Sequence, residues 1–176
     1  MIETLISSKT RVKLLLKFFL NSRNTAYLRN LEEEFEESTN GIRVELNKFE
    51  KAKMLTSEQQ GKKKIFTVNT SHPLFKELHT IVLKYVGLDK IVDYVVKELG
   101  DLEMVYLTGS FARGLDSDII DLVFIGNIDK AFLNEIIEKI EKKIQRRIRY
   151  IDYDMDSFDL DKLKEKGTSP LLLWSR

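Results

Sequence analysis

Apolar residues recur every three or four positions through most of the chain, and in two short runs they stand side by side. From Ser8 to Leu20, Val12, Leu15, Leu16, Phe19 and Leu20 fall on one side of a helix, with Lys9, Arg11, Lys13 and Lys17 over the rest of its surface and Ser8 placed as its cap. A shorter helix is predicted from about Ala26 to Phe35, with Leu28, Leu31 and Phe35 inward and Glu32, Glu33 and Glu34 outward. Ser38, Thr39 and Asn40 offer cap residues for a third, reaching about Lys53. It carries Ile42, Leu46, Phe49 and Lys53 on one stripe and Asn40, Arg43, Asn47 and Lys51 on another. Leu55 to Glu58 and Lys64 to Val68 read as two strands around the turn Gln59-Gln60-Gly61-Lys62-Lys63. Helical spacing returns over Leu74 to Val86 and Asp89 to Leu99, and Gly100 stops it.

The rest of the chain mixes periods. Met104 to Leu107 and Ile119 to Ile125 are apolar enough for buried strands, and Thr108-Gly109-Ser110-Phe111-Ala112-Arg113-Gly114 follows the first. Lys130 to Arg146 has a stripe of Phe132, Leu133, Ile136, Ile137, Ile140 and Ile144, and Ile148 to Tyr153 supplies a further strand. Pro170 to Trp174 is short and apolar, an edge strand or a packing arm. The pattern predicts an α+β chain of two domains, residues 1–86 and 87–176, joined without a Gly/Ser-rich linker.

Composition narrows the chemistry. The 176 residues are 43% apolar and 32% charged, a balance that suits a folded domain in water. There is no cysteine, and His72 and His79 are the only histidines, so disulfides, thiolate chemistry and Cys/His zinc centres are not expected. The run Ile119 to Gly126 is broken by Asp121 and is far too short to span a bilayer, and the N-terminus lacks an export signal; a cytoplasmic location without a membrane partner is expected. His72 before Pro73 suits a turn or cap, and His79 beside Phe75, Leu78 and Val82 is expected to pack or face water. Asp152-Tyr153-Asp154-Met155-Asp156 opens like a calcium loop, but Ser157 and Leu163 stand where glycine and glutamate are needed. No dinucleotide fingerprint or P-loop is present in the sequence.

The net charge of +1 hides an asymmetry. Residues 1–86 hold 15 Lys and Arg against 10 Asp and Glu, and residues 87–176 hold 14 against 18. Three helices and a lysine-bearing hairpin in the basic half are the order of a winged helix-turn-helix. Arginine and asparagine can pair with base edges in a major groove, and lysines can neutralise phosphates. Asn40, Arg43 and Asn47, with Lys51 on the same stripe, are therefore the expected DNA-facing residues, and Lys62, Lys63 and Lys64 the expected phosphate contacts. The alternative is a merely solvated face.

Lys9 to Phe75 resembles the ArsR-like winged-helix transcriptional regulators, in Ser38-Thr39-Asn40-Gly41-Ile42-Arg43, Leu46-Asn47-Lys48-Phe49-Glu50 and the hairpin ending Val68-Asn69-Thr70-Ser71-His72-Pro73-Leu74-Phe75. The resemblance implies a homodimer on double-stranded DNA with the third helix reading bases. It does not carry metal sensing over, because neither the cysteines nor the clustered histidines are present in the sequence.

Leu99 to Tyr153 resembles the minimal nucleotidyltransferases of the DNA polymerase β-like superfamily, in Gly109-Ser110, Ala112-Arg113-Gly114 and Asp118-Ile119-Ile120-Asp121-Leu122. The resemblance implies a phosphate or nucleotide pocket at Gly109, Ser110 and Arg113, and a Mg²⁺ and nucleoside triphosphate centre on carboxylates. Here the carboxylates Asp118 and Asp121 are three apart, not two, so on a regular strand they face opposite ways. Alignment on Asp121 puts Ile119 at the first ligand position, and Arg149 stands where the family has its third carboxylate, with Asp152 facing away from it. Gly109-Ser110 is equally what a tight strand-to-helix turn would need. The expectation is a DNA-binding transcriptional regulator whose second domain has lost transfer activity and serves ligand sensing or assembly. The competing expectation is Mg²⁺-dependent transfer of a nucleotidyl group to a protein or small molecule, and a third is an antitoxin-like partner protein.

Overall fold

In a computed structural model the chain divides into two compact units, Met1–Tyr85 and Val86–Arg176, described here over residues 5–164 and 170–176. The architecture is mixed α+β, with seven helices and two sheets among the described residues.

In the first unit, α1 (Lys9–Leu15) is capped by Ser8, whose Oγ accepts from the Arg11 amide at 3.2 Å, and continues as a π-helical turn, Leu16–Leu20. Then come β1 (Thr25–Ala26), α2 (Leu28–Phe35), α3 (Thr39–Lys51), β2 (Leu55–Gln60), β3 (Lys63–Val68) and α4 (Phe75–Val86). The three strands form an antiparallel sheet in the order β1-β3-β2. The helices bury Leu14, Phe18, Phe19, Leu31, Ile42 and Leu46, and the sheet adds Leu55 and Phe66. Glu45, on the buried side of α3, accepts from Arg11 of α1 at 2.8 Å and from Lys48 at 2.8 Å. The Arg11 hydrogen bond outweighs burial and holds the Glu45 carboxyl below the usual carboxylate range. His79 of α4 stacks on Phe75 and hydrogen-bonds the Phe19 carbonyl at 2.6 Å, and His72 Nδ1 accepts from the Leu74 amide in a turn.

In the second unit, α5 (Leu88–Glu98) leads into β4 (Leu102–Thr108), a four-residue helix α6 (Gly109–Ala112), β5 (Ile119–Gly126), α7 (Lys130–Ile144), β6 (Arg147–Tyr153) and β7 (Leu171–Ser175). The sheet order is β6-β5-β4-β7, with β5 and β6 parallel and the other pairs antiparallel. Parallel neighbours need a crossover, and α7 is that crossover. It buries Leu133, Ile136, Ile137 and Ile140 and packs beside α5, which buries Leu88, Ile91 and Val95. A smaller cluster of Tyr106, Val123 and Ile125 takes Met104, Tyr153, Phe158 and Leu163 against it. The segment from Pro170 is an edge strand, paired antiparallel with β4.

Several expectations need correction. Ala26 begins no helix: Thr25 and Ala26 pair with Thr67 and Phe66, and a buried ladder position overrides alanine's helical preference. Lys53 is off the buried stripe of α3, which ends at Lys51; Lys53 is exposed and left-handed at φ 59°. Lys63 belongs to β3 and pairs with Gln60, because Gly61 at φ 61° allows the hairpin to close in two residues, Gly61 and Lys62. Arg146 lies beyond α7, which stops at a left-handed Gln145 so that β6 can begin at Arg147. Asp118 lies just before β5, outside the strand in which its direction was reckoned.

Candidate nucleic-acid interface

The outward side of α3 follows from its inward side. Ile42, Glu45, Leu46 and Phe49 are buried, so the opposite stripe of Asn40, Arg43, Val44, Asn47, Lys48 and Lys51 is exposed. Ser38 starts the helix, its Oγ accepting from the Gly41 amide at 3.3 Å, and Asn40 thereby enters the first turn as an outward side chain instead of a cap.

Between α2, α3 and the β2–β3 hairpin lies an open groove of about 660 Å³. Five of the seven residues expected to face DNA line it: Arg43, Asn47, Lys62, Lys63 and Lys64. Asn40 and Lys51 are exposed on α3 but are not part of its lining. The groove also has Tyr27 and Arg29, which the sequence reading passed over; an aromatic next to a predicted helix start, facing a basic hairpin, was the available signal. Lys63 Nζ lies 4.2 Å from the centre of the Tyr27 ring, a cation–π contact that holds it toward the groove. Lys64, also part of the lining, is instead held by a carboxylate. It donates to Glu50 at 2.7 Å, and this hydrogen bond, with one from Ser57, lowers the Glu50 pKa from its ordinary value. Arg43, Asn47 and Lys62 have no side-chain partner among the described residues. Glu32 is the acidic member of the lining.

The second unit arranges its charges differently. Thr108, Asp121 and Arg149 stand in line across β4, β5 and β6. Arg149 Nε donates to Asp121 Oδ1 at 2.5 Å, and that bond raises the Arg149 pKa. The other carboxylate oxygen is pressed against the glycine turn: a Cβ on Gly109, where φ is 64°, would overlap Oδ2 and lie 2.9 Å from Cγ of Asp121. On the Asp121 side of β5 the residue two before it is Ile119, and Ile120 is buried on the other side. Asp118 is exposed, and its carbonyl accepts from the Arg147 amide. Arg113 donates to Ser110 Oγ at 3.4 Å within the turn. Asp152 pairs with Lys130 at 2.9 Å, raising the Lys130 pKa through that hydrogen bond. Gly109, Ser110, Arg113 and Asp121 are thus brought together, and Asp118 is not.

No family model and no curated relative matches the chain. Among solved structures, the complex of tri-AMPylated Shewanella oneidensis HEPN toxin with MNT antitoxin is similar at 17% identity and a TM-score of 0.38, over 51% of this chain and 71% of that one. Reduced HlyU from Vibrio cholerae is similar at 12% identity and 0.37, over 47% and 82%. AF1382 from Archaeoglobus fulgidus is similar at 18% and 0.37, over 55% and 98%. No helix among the described residues is long and apolar enough to cross a membrane.

Proposed function

We propose that the chain is a DNA-binding transcriptional regulator whose first unit is a winged helix-turn-helix. One observation carries this: Arg43 and Asn47 from a helix and Lys62 and Lys63 from a hairpin line a single open groove. A helix that presents amide and guanidinium donors reads base edges in the major groove, and ammonium groups beside it neutralise the flanking phosphates. Lys64, tied to Glu50, contributes less than Lys62 and Lys63. Two copies bind two half-sites. Leu74 and Ile81, half exposed and in line with Leu78, supply the seam between them.

The second unit is a nucleotidyltransferase-like domain that no longer performs transfer. A Mg²⁺ centre asks for convergent carboxylates, and the residues present do not fit one. Asp121 is engaged by the Arg149 guanidinium, and Ile119 occupies the same-face position that a second carboxylate would need. Gly109, Ser110 and Arg113 remain as the polar turn through which such a domain would meet a phosphate-bearing effector.

The test is titration of the full chain with labelled duplex at several salt concentrations. Affinity is expected to fall steeply with salt, Arg43→Ala to weaken discrimination between sequences, and Lys62→Ala to weaken all sequences alike. Weak binding, equal on every duplex and unaffected by these substitutions, would remove the reading.

A further inference from the structure

We infer that Val44 reads the methyl group of a thymine in the bound duplex, which rests on the duplex reading above. At 100° per residue, Asn40, Val44, Asn47 and Lys51 share an arc of about 60° on α3, with Arg43 and Lys48 on either flank. Val44 is 44% exposed in the midst of these amides and cations, one turn after Asn40 and three residues before Asn47. Burial in the core does not account for valine there. Its side chain is outside the core, and a β-branched residue on a solvent face lowers helix propensity relative to alanine, lysine or glutamate. The major groove has one apolar feature among its donors and acceptors, the thymine C5-methyl group, and valine is complementary to it. Polar neighbours bond the adjacent base edges while Val44 covers the methyl and excludes water from it.

The experiment selects a preferred duplex from a random pool with the full chain. Each thymine is then replaced in turn by deoxyuridine, which deletes only the methyl group and leaves the protein untouched. One thymine per half-site is expected to show about a fourfold loss of affinity on replacement, the worth of one buried methyl-sized group. Val44→Ala is expected to bind the thymine and deoxyuridine duplexes alike, and Val44→Ile to keep the difference. A preferred duplex indifferent to deoxyuridine at every position, or a difference that persists in Val44→Ala, overturns the inference and leaves the duplex reading standing. If no duplex is preferred, the duplex reading falls and takes the inference with it.

Discussion

The two units each gather basic residues on a surface, and they differ in what those residues already hold. In the first, Arg43 and Lys62 face an open groove without a carboxylate partner among the described residues, and Lys63 rests on an aromatic ring that leaves its charge unneutralised. In the second, Arg149 is bonded to Asp121, Arg146 to Asp116, and Lys130 to Asp152. A cation whose charge is met inside the fold shapes that fold, and one left facing solvent beside others of its sign is available to a polyanion. The same residue types are therefore neutralised at one site and left unneutralised at the other.

The sharpest way to break this contrast is to empty the groove. Combining Arg43→Ala, Lys62→Ala and Lys63→Ala is expected to lower duplex affinity by about a hundredfold or more at moderate salt and to reduce the salt slope by about one for each lost phosphate contact. Fluorescence anisotropy over a salt series measures both, and circular dichroism should show an unchanged fold, since all three side chains are exposed.

Next in size is the glycine turn of the second unit. Gly109→Ala is expected to destabilise the chain by about 2 kcal/mol, from the positive φ and the overlap with Asp121 together. Thermal unfolding in the Asp121→Ala background should show a smaller cost, because the overlap with the carboxylate is gone and only the positive φ and the close approach to Cβ of residue 121, at 3.1 Å, remain. Equal costs in both backgrounds would dissociate Asp121 from the turn.

A smaller effect follows from Glu45. Its pKa is lower in the folded chain than in the unfolded one, so its stabilisation is present above the ordinary carboxylate pKa and is lost as pH falls through the folded value. Acid titration of wild type should therefore show a loss of stability, beginning near the ordinary carboxylate pKa and continuing below it, that is reduced in Glu45→Gln. The smallest expected effect is that of Mg²⁺ on the melting of wild type, which should be none. Ile119→Asp combined with Arg149→Asp, which puts two more carboxylates beside Asp121, should acquire a Mg²⁺-dependent rise. A rise of the same size in wild type would overturn the reading that the residues around Asp121 do not fit a Mg²⁺ centre.

Much of the architecture could be read along the chain. The helices around Val12 to Leu20 and Leu133 to Ile140 are legible because an apolar stripe at helical spacing is a local property that survives packing. Arg43 and Asn47 were legible for the same reason, since their outward direction follows from where Ile42 and Leu46 must go. Lys53 and Arg146 were misplaced because a left-handed residue ends a helix where the periodic pattern continues, and non-glycine residues in that conformation give no compositional warning. Ala26 was misplaced because a two-residue strand exists only by virtue of its partner, some forty positions away.

What the order of residues settled alone was which side chains lie inward within each element, and hence the existence of a basic face in one half and of an acid at the glycine turn in the other. Distance was left to the tertiary structure. Closure of the hairpin in two residues set Lys63 against Tyr27 and turned Lys64 toward Glu50. The parallel register of β5 and β6 placed Arg149, of all the residues of β6, opposite Asp121. Periodicity is carried by neighbours along the backbone, whereas register depends on hydrogen bonds between segments far apart in the chain, and it is register that chooses which charges meet.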